Sequence, residues 1–389
     1  MELTKDKLNM DQCTGCCLCA NGCPVEAISM KEDKNGFLYP HINNKLCIDC
    51  GKCTKLCDGR NEQYISDVEK RAYAVWSKNS EIRYKSTSGG AFSEFAKYVL
   101  LNDGVVAGAA YNECNQVDHI LIDNLEQLPL VRQSKYIQSD SKDIYKKVKY
   151  ALDNGKLVLF CGTPCQLAAL KSYLNKDYEK LFLMSFICLG VNSPKALRAW
   201  LEEIEQKENN SVQRVWFKYK KHGWHKSPLC TRLDFKDGSH KVYFGDENTF
   251  MKGYIRYHLY IRPSCTDCRF KGLTHGADVM VADFWGEQIT DDNGTSLLIV
   301  NSKKGENMLN EIKMNFCLEE VDFSQAILGN RAFREPVKAS KYSDKFLAEL
   351  DVLGFSSAYK KYAKDPLKVI IKSKIKNTLR VCLKNIVSK

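Results

Sequence analysis

At 389 residues, 44% hydrophobic and 27% charged, the chain is longer than one typical domain and has the composition of a water-soluble protein with a large core. Eighteen cysteines behind a polar start, MELTKDKLNMDQ, point to metal ligation in a reducing cytoplasm and away from secreted disulfides. Of the net charge of +11, residues 364–389 alone carry +7, so the remaining +4 excludes whole-surface binding of nucleic acid.

In chain order, the first feature is a doubled cysteine run. Nine of the eighteen cysteines lie within residues 1–57, and eight of these repeat the spacing C-x2-C-x2-C-x3-C. The first run is Cys13, Cys16, Cys19 and Cys23; the second is Cys47, Cys50, Cys53 and Cys57. Thiolates are soft ligands, and two-residue gaps fold the chain tightly enough for three sulfurs to hold three corners of one 4Fe-4S cube. Between the runs, Asn35-Gly36 separates two short apolar segments, a hairpin signal. Cluster loop, short helix, hairpin and second cluster loop predict an α+β ferredoxin-like domain over residues 1–60, with two 4Fe-4S clusters. In that pattern the fourth cysteine of each run crosses over. Cys13, Cys16, Cys19 and Cys57 therefore share one cluster, and Cys47, Cys50, Cys53 and Cys23 the other. Tetrahedral zinc is the competing reading of a Cys-x2-Cys pair; three closely spaced cysteines plus a fourth, twice over, favour iron–sulfur. Cys17 is an extra thiol inside the first loop, read as a small filler.

Residues 58–70 are polar and aperiodic and read as a linker. From Arg71 strands alternate with helices. AYAVWS precedes the glycine-opened helix SGGAFSEFAKYVLL, and VVAGAAY follows. KLVLFCG leads into a helix with Pro164 in its first turn, and LFLMSFICLG into a helix capped by Ser193. This alternation predicts an α/β core over residues 71–340 with a mixed, largely parallel sheet. Asp237-Gly238 marks a hairpin in an antiparallel portion. The longest apolar run, Leu181 to Val191, has 11 residues and suits a buried strand, being too short to span a bilayer.

Five cysteines of the core form a second constellation: Cys161 and Cys165 in FCGTPCQ, Cys188 in FICLG, and Cys265 with Cys268 in RPSCTDCRF. The first three fall at the carboxyl ends of predicted strands, where open α/β sheets place their ligands. A Cys-x2-Cys pair joined by cysteines from neighbouring strand ends suits a third 4Fe-4S cluster; the alternative is ordinary burial of a small apolar residue. Ser88, Gly89 and Gly90 open a helix whose free N–H groups favour an anion such as a cofactor phosphate. No dinucleotide fingerprint or Walker motif is present, so nicotinamide and nucleoside triphosphate chemistry gain no support. Residues 341–389 read as a helical tail, basic and amphipathic from 364. It suits either a peripheral contact at the inner face of a membrane or a terminal helix packed on the protein.

Taken together, these motifs resemble the coenzyme F-420 hydrogenase/dehydrogenase beta-subunit family, in its form with a fused N-terminal ferredoxin domain. The matching segments are TSGGAF at 87–92, SKYIQS at 134–139, CGTPCQLAAL at 161–170, ICLGVNSP at 187–194, KKHGW at 220–224 and CTDCRFKGLTHGADVMVADFWG at 265–286. The resemblance implies a flavin, FAD or FMN, beside a core 4Fe-4S cluster. On that basis Cys165, Cys188, Cys265 and Cys268 are the preferred core ligands, with Cys161 in reserve. Ser88, Gly89 and Gly90 become flavin contacts, and Lys135 and Tyr136 lie near the ring or the substrate as catalytic residues. The implied activity passes electrons from a ferredoxin-type donor or partner oxidoreductase subunit through clusters to a flavin, which reduces or oxidises an organic substrate such as a deazaflavin coenzyme. Two further roles fit the same motifs: a non-catalytic relay subunit, and a redox or scaffold protein beside membrane polysaccharide assembly. Leu189 stands where family members often have His, and Ala282 where they usually have Gly, which leaves the substrate open.

Overall fold

The computed structural model describes residues 10–62, 64, 66, 68–286 and 291–365. The apolar stripe of the tail, from Leu367 onward, lies outside the described residues. Strands β1 (Ile28–Glu32) and β2 (Leu38–Ile42) pair antiparallel around the Asn35-Gly36 turn. The connection is a five-residue loop rather than a two-residue turn, because Glu32 pairs with Leu38. The Asp33 carboxylate organises it by accepting the backbone N–H groups of Asn35 and Phe37. Helices Leu18–Gly22 and Lys52–Gly59 pack together beside this hairpin. The second helix runs on through Asp58 into the segment read as linker, and Arg60 directly after it is buried.

The remaining strands are β3 (Arg71–Ser77), β4 (Val105–Tyr111), β5 (Val117–Ile122), β6 (Val158–Gly162), β7 (Leu181–Phe186), β8 (Val212–Phe217), β9 (Cys230–Phe235), β10 (His240–Phe244), β11 (Val279–Asp283), β12 (Ser296–Val300) and β13 (Phe316–Val321). Eight of them form one sheet in the order β13-β3-β12-β11-β7-β6-β4-β5, while β10-β9-β8 make a small antiparallel sheet. The central block β11-β7-β6-β4 is parallel, and antiparallel pairs extend it on both sides. Central parallel strands are covered on both faces and so read as unbroken apolar runs. Val158-Leu159-Phe160 and Leu181-Phe182-Leu183-Met184 are such runs, and all seven side chains are buried.

One face of the sheet packs helices Ala91–Leu101 and Lys303–Ile312 through Phe95, Val99 and Leu309. The other packs Ile144–Asp153 and Pro164–Leu174 through Tyr145, Val148, Leu167 and Leu170; Cys16 and Leu18 join this second layer, so the N-terminal unit sits directly on the core. Helix Ser343–Tyr362, broken at Gly354 (φ +71), packs on helix Pro194–Glu208 and buries Phe346, Leu350 and Phe355. The first part of the expected tail is thus a core element. Among the described residues, no helix is long and apolar enough to cross a membrane.

Candidate functional site

A cavity of about 330 Å³ opens where β6 and β7 end. Ser88, Gly90, Lys135, Tyr136, Cys161, Cys165, Cys188, Cys265 and Cys268 all line it, and Cys16 reaches it from the first cysteine run. Gly89 is not in the wall. A Cβ on Gly89 would meet the Val75 carbonyl at 2.3 Å, and its N–H donates to Ser296 Oγ, so it seats the helix start against β3 and β12. The Ser88 hydroxyl is engaged by the Thr295 carbonyl at 2.6 Å.

Four core thiols line the cavity together. Cys165 stands in the first turn of helix Pro164–Leu174, fixed by a Thr163/Gln166 capping box; Cys188 lies just beyond β7, and Cys265 and Cys268 on the turn around Pro263–Asp267. Burial raises Cys165 to about 12, with Cys268, Cys16 and Cys265 adding to the rise. Cys188 is pushed up by burial and then by Cys265, Cys165 and Cys268. Such thiols stay protonated until a metal takes the proton's place. Cys161, also raised to about 12 by burial, has Lys135 as its electrostatic partner and none of the four.

A second quartet adjoins the first. Cys19 is raised by burial and then by Cys16, Cys13 and Cys57; Cys57 is raised by burial, then by Cys16 and Cys13 against the lowering effect of Arg60. Cys57 from the second run therefore stands with three sulfurs of the first. The outer cysteines differ: Cys23, Cys47 and Cys53 are half-buried and Cys50 is exposed, flanked by Leu46 and Ile48 at 51% and 63% exposure. Of the twelve, Cys50 is exposed, Cys16 is buried and the other ten lie between. Among the described residues, no three Cys, His, Asp or Glu side chains converge on one ion position. A 4Fe-4S cluster needs no such convergence, because its ligand sulfurs bind separate irons.

Two buried arginines hold the N-terminal unit against this site. Arg262, 0% exposed, donates to the carbonyls of Cys13 (2.9 Å) and Leu38 (3.0 Å) and to Gln138 Oε1 (3.1 Å). Arg60, 6% exposed, donates through Nε to the Cys57 carbonyl (3.1 Å) and through Nη1 to Thr14 Oγ1 (2.8 Å) and Cys16 Sγ (3.5 Å). Neither guanidinium pairs with a carboxylate among the described residues. A buried charge without a counter-charge is unfavourable by several kcal/mol. Anionic groups held by the two inner quartets would supply the missing negative charge, so the residues present fit iron–sulfur clusters.

Lys135 is buried, and its Nζ donates to the carbonyls of Arg132 (2.7 Å) and Gln133 (3.0 Å). Burial, then Arg214, lowers it to about 7, so near neutral pH it holds a proton only part of the time. Unfolded, the same lysine stays protonated to about pH 10.4. Between those values the unfolded chain binds the extra proton, so this group opposes folding fully below 7 and progressively less as pH rises. Wild-type protein should therefore gain stability relative to Lys135→Met between pH 7 and 10, by about 1.4 kcal/mol per unit at most, in paired urea unfolding curves. A constant difference would refute the buried neutral lysine. Tyr136, at φ +54, packs edge-on against Phe217 at 5.7 Å and is raised by burial. In the same wall, Arg132 Nε is buried without a partner, an open donor suited to an anionic cofactor.

Sequence reasoning passed over several residues here. Thr163 Oγ1 lies 3.1 Å from Cys165 Sγ, and Lys271 Nζ donates to the Cys188 carbonyl at 2.6 Å. Buried Lys218 pairs with Asp283 of the cavity wall. Thr163 and Lys271 neighbour cysteines and Asp283 belongs to the FWG segment, whereas Lys218 stands two residues before the KKHGW segment.

Comparison with known proteins agrees with this chemistry. Residues 155–326 match the family model for the C terminus of the coenzyme F420 hydrogenase/dehydrogenase beta subunit, and residues 12–59 the model for a 4Fe-4S dicluster domain. The coenzyme F420-dependent sulfite reductase of Methanocaldococcus jannaschii is 24% identical over 353 residues, which cover 86% of this chain and 52% of that protein. The chain thus spans about half the length of this curated relative. A chain of the F420-reducing NiFe hydrogenase complex from Methanosarcina barkeri aligns with 18% identity and a TM-score of 0.43, covering 77% of this chain and 91% of that one. Residues 12–59 thus resemble a 4Fe-4S dicluster domain, and residues 155–326 resemble the C-terminal region of coenzyme F420 hydrogenase/dehydrogenase beta subunits.

Proposed function

We propose that this chain is an iron–sulfur flavoprotein oxidoreductase that exchanges electrons with a protein partner at its Cys50 end and with an organic substrate in the cavity. The observation that carries the reading is the cavity, which gathers Cys165, Cys188, Cys265 and Cys268 with Cys16 of the first cysteine run, while Cys50 of the second run lies exposed. In this reading residues 1–60 form the outer wire and 71–340 the flavin-binding core. Bound there, 4Fe-4S clusters would supply single-electron transfer, and FAD or FMN would convert it to two-electron chemistry.

The chain's own residues do the rest. Thr163 and Lys271 hold Cys165 and Cys188 in place through Sγ and a carbonyl. The Ser88–Gly90 helix start and Arg132 Nε offer donors to an anionic cofactor. Lys135 Nζ takes up a proton when negative charge appears beside it, and Tyr136 closes the wall against water. Relatives named for coenzyme F420 make a deazaflavin the first substrate class to test. A reducing cytoplasmic setting suits this many free thiols, with peripheral membrane contact through 364–389 as a further element of the reading.

A second reading keeps the wire and moves the chemistry to a partner, since the chain spans only half of its curated relative. Anaerobic purification with iron, sulfide and flavin quantified per chain separates the two. About twelve irons with one flavin are expected. About eight irons without flavin would replace the enzyme by the relay.

A further inference from the structure

Arg60 occupies an unusual position. Its guanidinium lies where the inner ferredoxin-type quartet meets the core quartet, and the groups acting on its charge are Cys16, Cys57, Cys165 and Cys13. Its three nitrogens are divided among the inner loop and its neighbours: Cys57 O, Thr14 Oγ1 with Cys16 Sγ, and Gln12 O at 3.4 Å. Its plane lies 5.5 Å from the ring of Phe270, two residues beyond Cys268. Cys16, which receives the Nη1 contact, lines the same cavity as Cys165 and Cys268.

Resting on the cluster occupancy proposed above, we propose that Arg60 is a positioning residue that raises the reduction potentials of the inner and core clusters together. Each cluster becomes more negative on reduction, so a fixed neighbouring cation stabilises the reduced form more than the oxidised one. Low solvent access keeps this attraction from being screened away. Arginine suits the task because it stays charged at any working pH and its planar fork reaches two sides at once. Handover between the quartets would make and break no bond: the electron lost by a cluster at the inner quartet would be the one gained at the core quartet. Raising both potentials in parallel lets both clusters fill from a partner while keeping the step between them shallow.

The test is a redox titration of the purified full-length protein, followed by electron paramagnetic resonance, in wild type, Arg60→Met and Arg60→Lys. Arg60→Met should shift the inner and core midpoints to lower potential together and leave the exposed outer cluster where it was. Arg60→Lys keeps the charge on a single compact ammonium that faces one quartet better than the other, so its two midpoints should shift unequally. This second variant decides the matter if Arg60→Met does not hold iron. Unchanged midpoints in either iron-loaded variant overturn the inference while the functional reading stands. A wild-type protein without iron at the inner or core quartet overturns both.

Discussion

Cys268→Ala should lose about four of twelve irons and stop electrons from reaching the cavity, while the N-terminal unit still accepts them from a donor. Cys268 shares the core quartet with Cys165, Cys188 and Cys265, and the cavity holds all four. Three buried thiols with raised proton affinity are poor substitutes for four ligands, because each must surrender its proton to the metal. Eight irons should remain, since the inner and outer quartets share no ligand with the core. Iron analysis gives the loss, and stopped-flow absorbance gives the block: fast bleaching of the remaining clusters with no reduction of the flavin that the proposed function assigns to the cavity. Cys161→Ala is the control. Its thiol sits beside Lys135, apart from the quartet, so iron content should not change. Normal flavin reduction in Cys268→Ala would sink the core-cluster assignment.

Gly15→Ala should destabilise the protein by about 3–5 kcal/mol and loosen the N-terminal unit from the core. Gly15 has φ +67, and a Cβ there would lie 2.1 Å from Gln138 Nε2, 2.8 Å from the Leu38 carbonyl and 3.0 Å from Arg262 Nη1. Gln138 Oε1 accepts from both the Leu38 N–H and Arg262. A methyl group therefore strikes the group that ties loop, hairpin and core together. Gly51 supplies the comparison, because it has nearly the same backbone angle, φ +68, with nothing within 4 Å of its Cβ position. Gly51→Ala should lose only the strain of a left-handed residue, about 1–2 kcal/mol. Equal losses for the two variants, measured by denaturant unfolding, would show that close approach at Gly15 is not what matters.

The two parts of the site differ in how legible they were from the amino-acid order. The twelve cysteines and the strand–helix alternation are written locally, in gaps of two or three residues and in runs such as Val158-Leu159-Phe160. Which of Cys161 and Cys165 joins Cys188 is not local. Both sit in FCGTPCQ, and only the switch from β6 to the helix at Pro164 turns them to different neighbours. Arg60 and Arg262 were less legible still. Arg60 looked like linker charge, while the partners that bury Arg262 come from Cys13, Leu38 and Gln138, up to 249 residues away. The hairpin was foreseen at Asn35-Gly36, yet its length was set by the Asp33 side chain, which a turn dipeptide does not encode. The mixed character of the sheet was expected; the placing of antiparallel strands on both flanks of the parallel block follows from which ends the connections reach.

The exposure of Cys50 also bears on wear. Oxidants attack cysteine sulfur in proportion to thiolate character and access. Cys50 stands open to water, whereas Cys16 is 8% exposed and lies beneath Tyr145, whose hydroxyl donates to its carbonyl at 2.8 Å. Corrosion of this chain therefore begins at Cys50, well before Cys16.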